Sequence, residues 1–145
     1  AEVINRTLAG LDVFTAVHVC FGNNAGRPFA DRRIAPLMPG LRLLACDQLM
    51  LEFANREMAE VELLGELARR FAIAAGVVDV KNFHVESAED VAARIARCLN
   101  FVAPERLTIT ADCGFSALPR RIARDKMRAM VAGARLARAR LLSPG

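Results

Sequence analysis

At 145 residues and 54% hydrophobic, the chain is long enough for one domain with a sizeable core, and rich enough in apolar residues to bury strands on both faces. No apolar run approaches the roughly 20 residues that span a bilayer, and the N-terminus lacks a signal-peptide pattern, so neither a membrane partner nor secretion is expected. A net charge of +4 leaves room for nucleic acid, but there is no Tyr or Trp to stack on bases and no nucleic-acid motif; none is expected as a partner.

Much of the positive charge falls in the last quarter, where Arg120, Arg121, Arg124, Lys126, Arg128, Arg135, Arg138 and Arg140 crowd one predicted helix, a pattern that reads as a solvated face. The four cysteines lack the paired spacing of a disulfide framework, which points to a reducing cytoplasm.

In chain order, AEVINRTLAG at 1–10 reads as the end of a helix, placed near 1–9, a start expected of a fragment or of one piece of a split protein. A strand follows near 13–20, then a helix near 29–38, a strand near 46–53 and a helix near 57–70. The third strand is expected near 71–80 and a helix near 88–102, with Ser87 as its cap, Asp90 completing the capping box, and Val91, Ile95, Cys98 and Leu99 as its apolar stripe. Pro104 halts the chain before a strand near 106–112. The last helix, near 119–141, follows Pro119 and is expected to turn Ile122, Met127, Met130, Val131 and Leu136 inward.

Short β-rich runs alternating with helical patterns signal an α/β fold with a parallel sheet. Four βα units make half of a (β/α)8 TIM barrel, which takes about 250 residues when complete. Residues 1–145 are therefore read as a single segment, the C-terminal half of such a barrel, with the N-terminal half absent. Half a barrel leaves open strand edges, so a missing half or a second copy is expected to pair with it; a smaller open α/β sheet is the alternative.

Four side chains at the ends of these strands form a donor set: His18 and Cys20 in VFTAVHVC, Glu52 in QLMLEFA and Cys113 in RLTITADCGF. One nitrogen, two sulfurs and one oxygen suit tetrahedral zinc, and residues i and i+2 of a strand share a face, so His18 and Cys20 reach one ion without distortion. Taken singly, Cys20 and Cys113 are better read as buried structural cysteines and His18 as a satisfied core histidine; it is the four together that point to zinc. Cys46, at the opposite end of its strand, and Cys98, on the apolar side of a helix, are read as structural. Beside two soft thiolates the Glu52 carboxylate is the ligand most easily displaced, and an incoming thiol taking its place would lose its proton to the metal.

The motifs HVCFGN, LMLEFA, GVVDVK and ADCGF, in that order, resemble the C-terminal catalytic barrel of the cobalamin-independent methionine synthase family and its shorter bacterial and archaeal relatives. The resemblance implies a (β/α)8 barrel of the methionine synthase/uroporphyrinogen decarboxylase type with zinc as cofactor. His18, Cys20, Glu52 and Cys113 match the family's ligands one by one. It implies a methyltransferase that moves a methyl group from 5-methyltetrahydrofolate, or a related carrier, to the zinc-bound thiolate of homocysteine, giving methionine. Asp112 and Gly114 complete the family's Asp-Cys-Gly turn and are expected to place Cys113.

At GVVDVK the chain departs from the full-length plant and enteric enzymes, which have a histidine where Lys81 stands. Lys81 is read as a proton donor or a point charge for a substrate carboxylate or sulfonate, with Asp79 orienting it, or else as an exposed lysine after a strand. His84 is read as a loop residue. Asn23, in FGNNAG after Cys20, is placed to approach a substrate or simply to form a βα turn. The rival readings are alkyl transfer to another thiol such as coenzyme M, with an epoxide or a corrinoid methyl donor, and a non-catalytic, zinc-stabilised barrel fragment. The isolated chain is expected to be inactive, because the family's grip on the amino acid and most folate contacts lie in upstream units.

Overall fold

The computed structural model describes residues 1–143. Its four strands, β1 (Ala16–Val19), β2 (Gln48–Glu52), β3 (Ala72–Val78) and β4 (Leu107–Ala111), form one parallel sheet in sequential order. Every connection is thus a crossover between adjacent strands, the topology of successive units in a βα barrel. Side chains alternate across the sheet. Leu49, Leu51, Ile73, Ala75 and Val77 are fully buried beneath the helices, whereas His18, Met50, Ala74 and Thr108, which share one register row, lie on the inner face. On that face Gln48 Nε2 donates to Thr108 Oγ1 at 3.2 Å across the alanines of β3.

The helices are α1 (Glu2–Leu8), α2 (Met38–Leu41), α3 (Leu64–Leu67), α4 (Ala88–Leu99) and α5 (Arg120–Leu142). The first buries no residue and is tied down by Asn5, which donates to the Leu43 carbonyl at 2.7 Å and accepts from the Ala45 N–H at 2.7 Å. The predicted capping box on α4 is present: Ser87 Oγ accepts from the Asp90 N–H and the Asp90 carboxylate accepts from the Ser87 N–H, both at 3.0 Å.

Two helices are much shorter than their sequence pattern predicts. Where 29–38 was expected, only a 3-10 turn at Ala35–Leu37 and α2 form, because Pro28, Pro36, Pro39 and Gly40 interrupt the helical ladder. Where 57–70 was expected, the chain makes 3-10 turns at Ala54–Arg56 and Val61–Leu63 before α3. The reason is that Glu57, Met58 and Glu60 adopt positive φ (53°, 63° and 62°). That strained backbone aims the Glu60 carboxylate at the Ile34 N–H, at 2.7 Å, which otherwise lacks a partner at the start of its turn.

The inward face of α5 also needs correction. Met127 and Val131 are 44% and 48% exposed, Ile122, Met130 and Leu136 are half-buried, and the buried positions are Ala123, Lys126, Gly133 and Ala137. The helix packs on α4 through small residues, so large apolar side chains are displaced to the flanks. At Gly133 an added Cβ would stand 2.4 Å from Val91 Cβ. Gly133→Ala, which in an exposed helix would gain about 1 kcal/mol, is expected to destabilise this chain by about 1–3 kcal/mol, measured by urea unfolding; a gain in stability would mean that the helices do not meet this closely. The arginines of α5 are exposed, as a solvated face requires, and no helix among the described residues is long and apolar enough to cross a membrane.

Candidate metal centre

The sheet brings three of the four predicted ligands together. The ligand atoms of His18, Cys20 and Cys113 all lie within 4.8 Å of one another, at the C-terminal ends of β1 and β4. The two Sγ atoms are 3.9 Å apart. That is far too long for a disulfide, and both cysteines are free. Two sulfurs each about 2.3 Å from one zinc ion at a tetrahedral angle stand about 3.8 Å apart, so the donor set and its spacing fit that metal. His18 is exposed and the two cysteines half-buried. Burial pushes the Cys113 thiol up; a hydrogen bond from the Gly114 N–H opposes this and the neighbouring Cys20 adds to it.

Glu52 stands outside this trio. It is buried, with Oε1 accepting from the Phe21 N–H at 3.2 Å and Oε2 paired with Lys81 Nζ. The Lys81 side chain is only 5% exposed, which excludes the reading of a solvated lysine after a strand. The Asp79 carboxylate serves the turn rather than the ammonium: Oδ1 accepts from the Lys81 backbone N–H at 2.7 Å, and Oδ2 from Asn82 Nδ2. His84 is exposed in the same loop.

Asp112 is fully buried and accepts four hydrogen bonds, from the N–H groups of Phe53, Ala54 and Asn55 at 2.9, 2.9 and 2.6 Å and from Asn55 Nδ2 at 2.8 Å. Burial raises its carboxyl to about 6, against the pull of these donors. It crosses the end of β3 where Gly76 leaves room; a Cβ there would lie 2.4 Å from Asp112 Oδ1. One side chain thereby links the residue before Cys113 to the residues after Glu52. Asn23 links two other loops: its Nδ2 donates to the Gly114 carbonyl at 3.1 Å and its Oδ1 accepts from the Gly26 N–H at 3.1 Å. Cys46 lies before β2, away from the trio, and Cys98 is fully buried with its thiol pushed up to about 12.

A buried cluster behind the Lys81 turn corrects the reading of Lys126 as one of the solvated charges of the last helix: its side chain is fully buried. Glu86 accepts from Lys126 Nζ at 2.9 Å, from the Asp79 N–H at 2.8 Å and from Arg94 at 3.3 Å. Burial pushes the Glu86 carboxyl up, but Lys126 and the Asp79 N–H outweigh it and hold it below the ordinary range. The available signal was composition: only two of the twenty basic residues are lysines.

A family model described as "Cobalamin-independent synthase, Catalytic domain" matches residues 1–136. The methionine synthase of Thermococcus kodakarensis is 36% identical over 146 residues, covering 99% of this chain and 40% of that protein. The methionine synthase of Sulfurisphaera tokodaii is 33% identical over 144 residues, with 99% and 39% coverage. Among solved structures, a B12-independent methionine synthase from Shewanella sp. W3-18-1, in complex with selenomethionine, superposes with a TM-score of 0.84 at 30% identity, covering 97% of this chain and 43% of that one. The chain therefore spans about 40% of the length of the curated relatives it matches.

Proposed function

The chain belongs to the family of cobalamin-independent synthase catalytic domains, and on that premise we propose that it supplies the metal-binding part of a zinc-dependent methyltransferase acting on homocysteine, with a 5-methyltetrahydrofolate-type donor. The observation that carries this reading is the 3.9 Å spacing of Cys20 and Cys113 with His18 beside them. Zinc would be held by these three residues, with Glu52 as the fourth ligand, and would supply a Lewis acid that favours the ionised form of a thiol near neutral pH. The selenomethionine bound by the Shewanella relative is an analogue of the methylated product, which supports a sulfur amino acid as the acceptor.

The chain's own residues have separable tasks in this reading. Asp112 ties the end of β4, next to Cys113, to the backbone that follows Glu52 at the end of β2. Asn23 fastens the loop after Cys20 to Gly114, a positioning role in place of substrate contact. Lys81, already paired with Glu52, would neutralise that carboxylate and supply a proton within the site, while Asp79 holds its backbone. Because its ammonium is engaged by Glu52, the argument for a sulfonate acceptor such as coenzyme M loses its basis.

In the described sheet the outer edges of β1 and β4 have no strand partner. We take the active form to be one in which further strands complete the barrel, in the cytoplasm, where the free cysteines remain reduced. Zinc absorption spectroscopy on the purified chain tests the proposal. About one zinc per chain is expected, with two sulfur and two nitrogen or oxygen neighbours, and homocysteine should add a third sulfur at the expense of an oxygen. Because the family's grip on the amino acid lies in upstream units, the homocysteine arm is run on the chain joined to its upstream half; bound zinc that ignores homocysteine there would leave a purely structural site.

A further inference from the structure

Among eighteen arginines the chain keeps two lysines, Lys81 and Lys126, and both are buried against a buried glutamate. Lysine is almost never fully buried unless paired, so two such pairs in a chain that otherwise relies on arginine mark positions where a compact ammonium is required. The Lys126 side chain is 0% exposed, and its Nζ donates to Glu86 Oε2 at 2.9 Å and to the His84 carbonyl.

The two pairs are joined by a continuous path. Glu86 Oε1 accepts from the Asp79 N–H at 2.8 Å, Asp79 Oδ1 accepts from the Lys81 N–H at 2.7 Å, and Lys81 Nζ donates to Glu52. Two carboxylates in series thus fix the Val78–Asp79 and Val80–Lys81 peptides, and Arg94 braces Glu86 from α4 while donating to the Val77 carbonyl at 2.8 Å. We propose that Lys126 is a positioning residue for Lys81: through Glu86 it sets the turn after β3 from which Lys81 reaches Glu52. The significance of that placement for chemistry rests on the proposed metal site; the placement itself does not.

Amine labelling reads the placement directly. In Lys126→Met the sole remaining lysine is Lys81, and reductive methylation followed by peptide mass spectrometry compares it with the α-amine of Ala1. Glu86→Gln keeps the shape of the acceptor while removing its charge, and serves if Lys126→Met does not fold. Cys98, fully buried on the inward side of α4, reports through its reactivity toward a thiol reagent whether the whole core has opened. Labelling of Lys81 is expected to rise about tenfold or more in either variant, with Cys98 as protected as before. Unchanged labelling of Lys81 in a folded variant overturns the proposal, as does a rise of Lys81 and Cys98 together, which would signify general loosening. Zinc competition against a chelator, run on the unaltered chain, judges the metal site separately: a chain that follows the labelling pattern but binds no zinc retains the positioning role and loses the metal reading.

Discussion

Cys113→Ser is expected to lower the zinc affinity of the chain by at least about a hundredfold, measured by competition with a chromophoric chelator, and Cys20→Ser to do the same. Each change removes one of only two soft donors from a trio whose atoms already lie within 4.8 Å, and a hydroxyl does not ionise to replace a thiolate. Cys98→Ser and Cys46→Ser are the internal controls. Neither residue belongs to the trio, and both should leave zinc affinity unchanged even if Cys98→Ser costs some core packing. Glu52→Gln should weaken binding less, about tenfold, because the amide oxygen still coordinates and the trio persists. Equal affinity of the Cys113→Ser variant and the unaltered chain would show that the cluster is not the metal site.

Asp112→Ala is expected to destabilise the chain by about 3–5 kcal/mol, a fall in melting temperature of about 10–15 °C. The carboxylate is fully buried and takes three backbone N–H groups and one side-chain amide, none of which has a substitute acceptor once it is gone. Asn at this position should restore only part of the loss, since one of its two polar atoms would present a donor to the donors of Asn55. Zinc affinity should fall together with stability, because the same contacts set the distance between the ends of β2 and β4. A loss of less than about 1 kcal/mol in urea unfolding would mean that the turn after Glu52 holds its shape without Asp112.

The two predictions differ in how much of their basis local sequence could supply. Cys20 and Cys113 stood at the ends of apolar runs, and period-two alternation was enough to place them at strand ends on one face. Asp112 was linked to Cys113 through the family's Asp-Cys-Gly turn, but its partners at 53–55 lie 57 to 59 residues away. Lys126 was counted among the solvated charges of α5, because an amphipathic pattern assigns a charged residue to water unless its partner is known. The failed helices at 29–38 and 57–70 have a similar origin: the apolar spacing was helical, while proline, glycine and a tertiary hydrogen bond to Glu60 decided otherwise.

By itself, the sequence determined the α/β class, the four strands and their parallel order, the capping box on α4, and which nitrogen and sulfur donors stand at the strand ends. These are properties of nearest neighbours along the chain, where side-chain period and capping chemistry act. Only the tertiary structure decided that Glu52 pairs with Lys81 apart from the trio, that Asp112 joins two strand ends, and that Lys126 is buried on Glu86. Each of those contacts joins residues 29 to 59 positions apart, and a buried charge is tolerated only when the fold brings its partner to it.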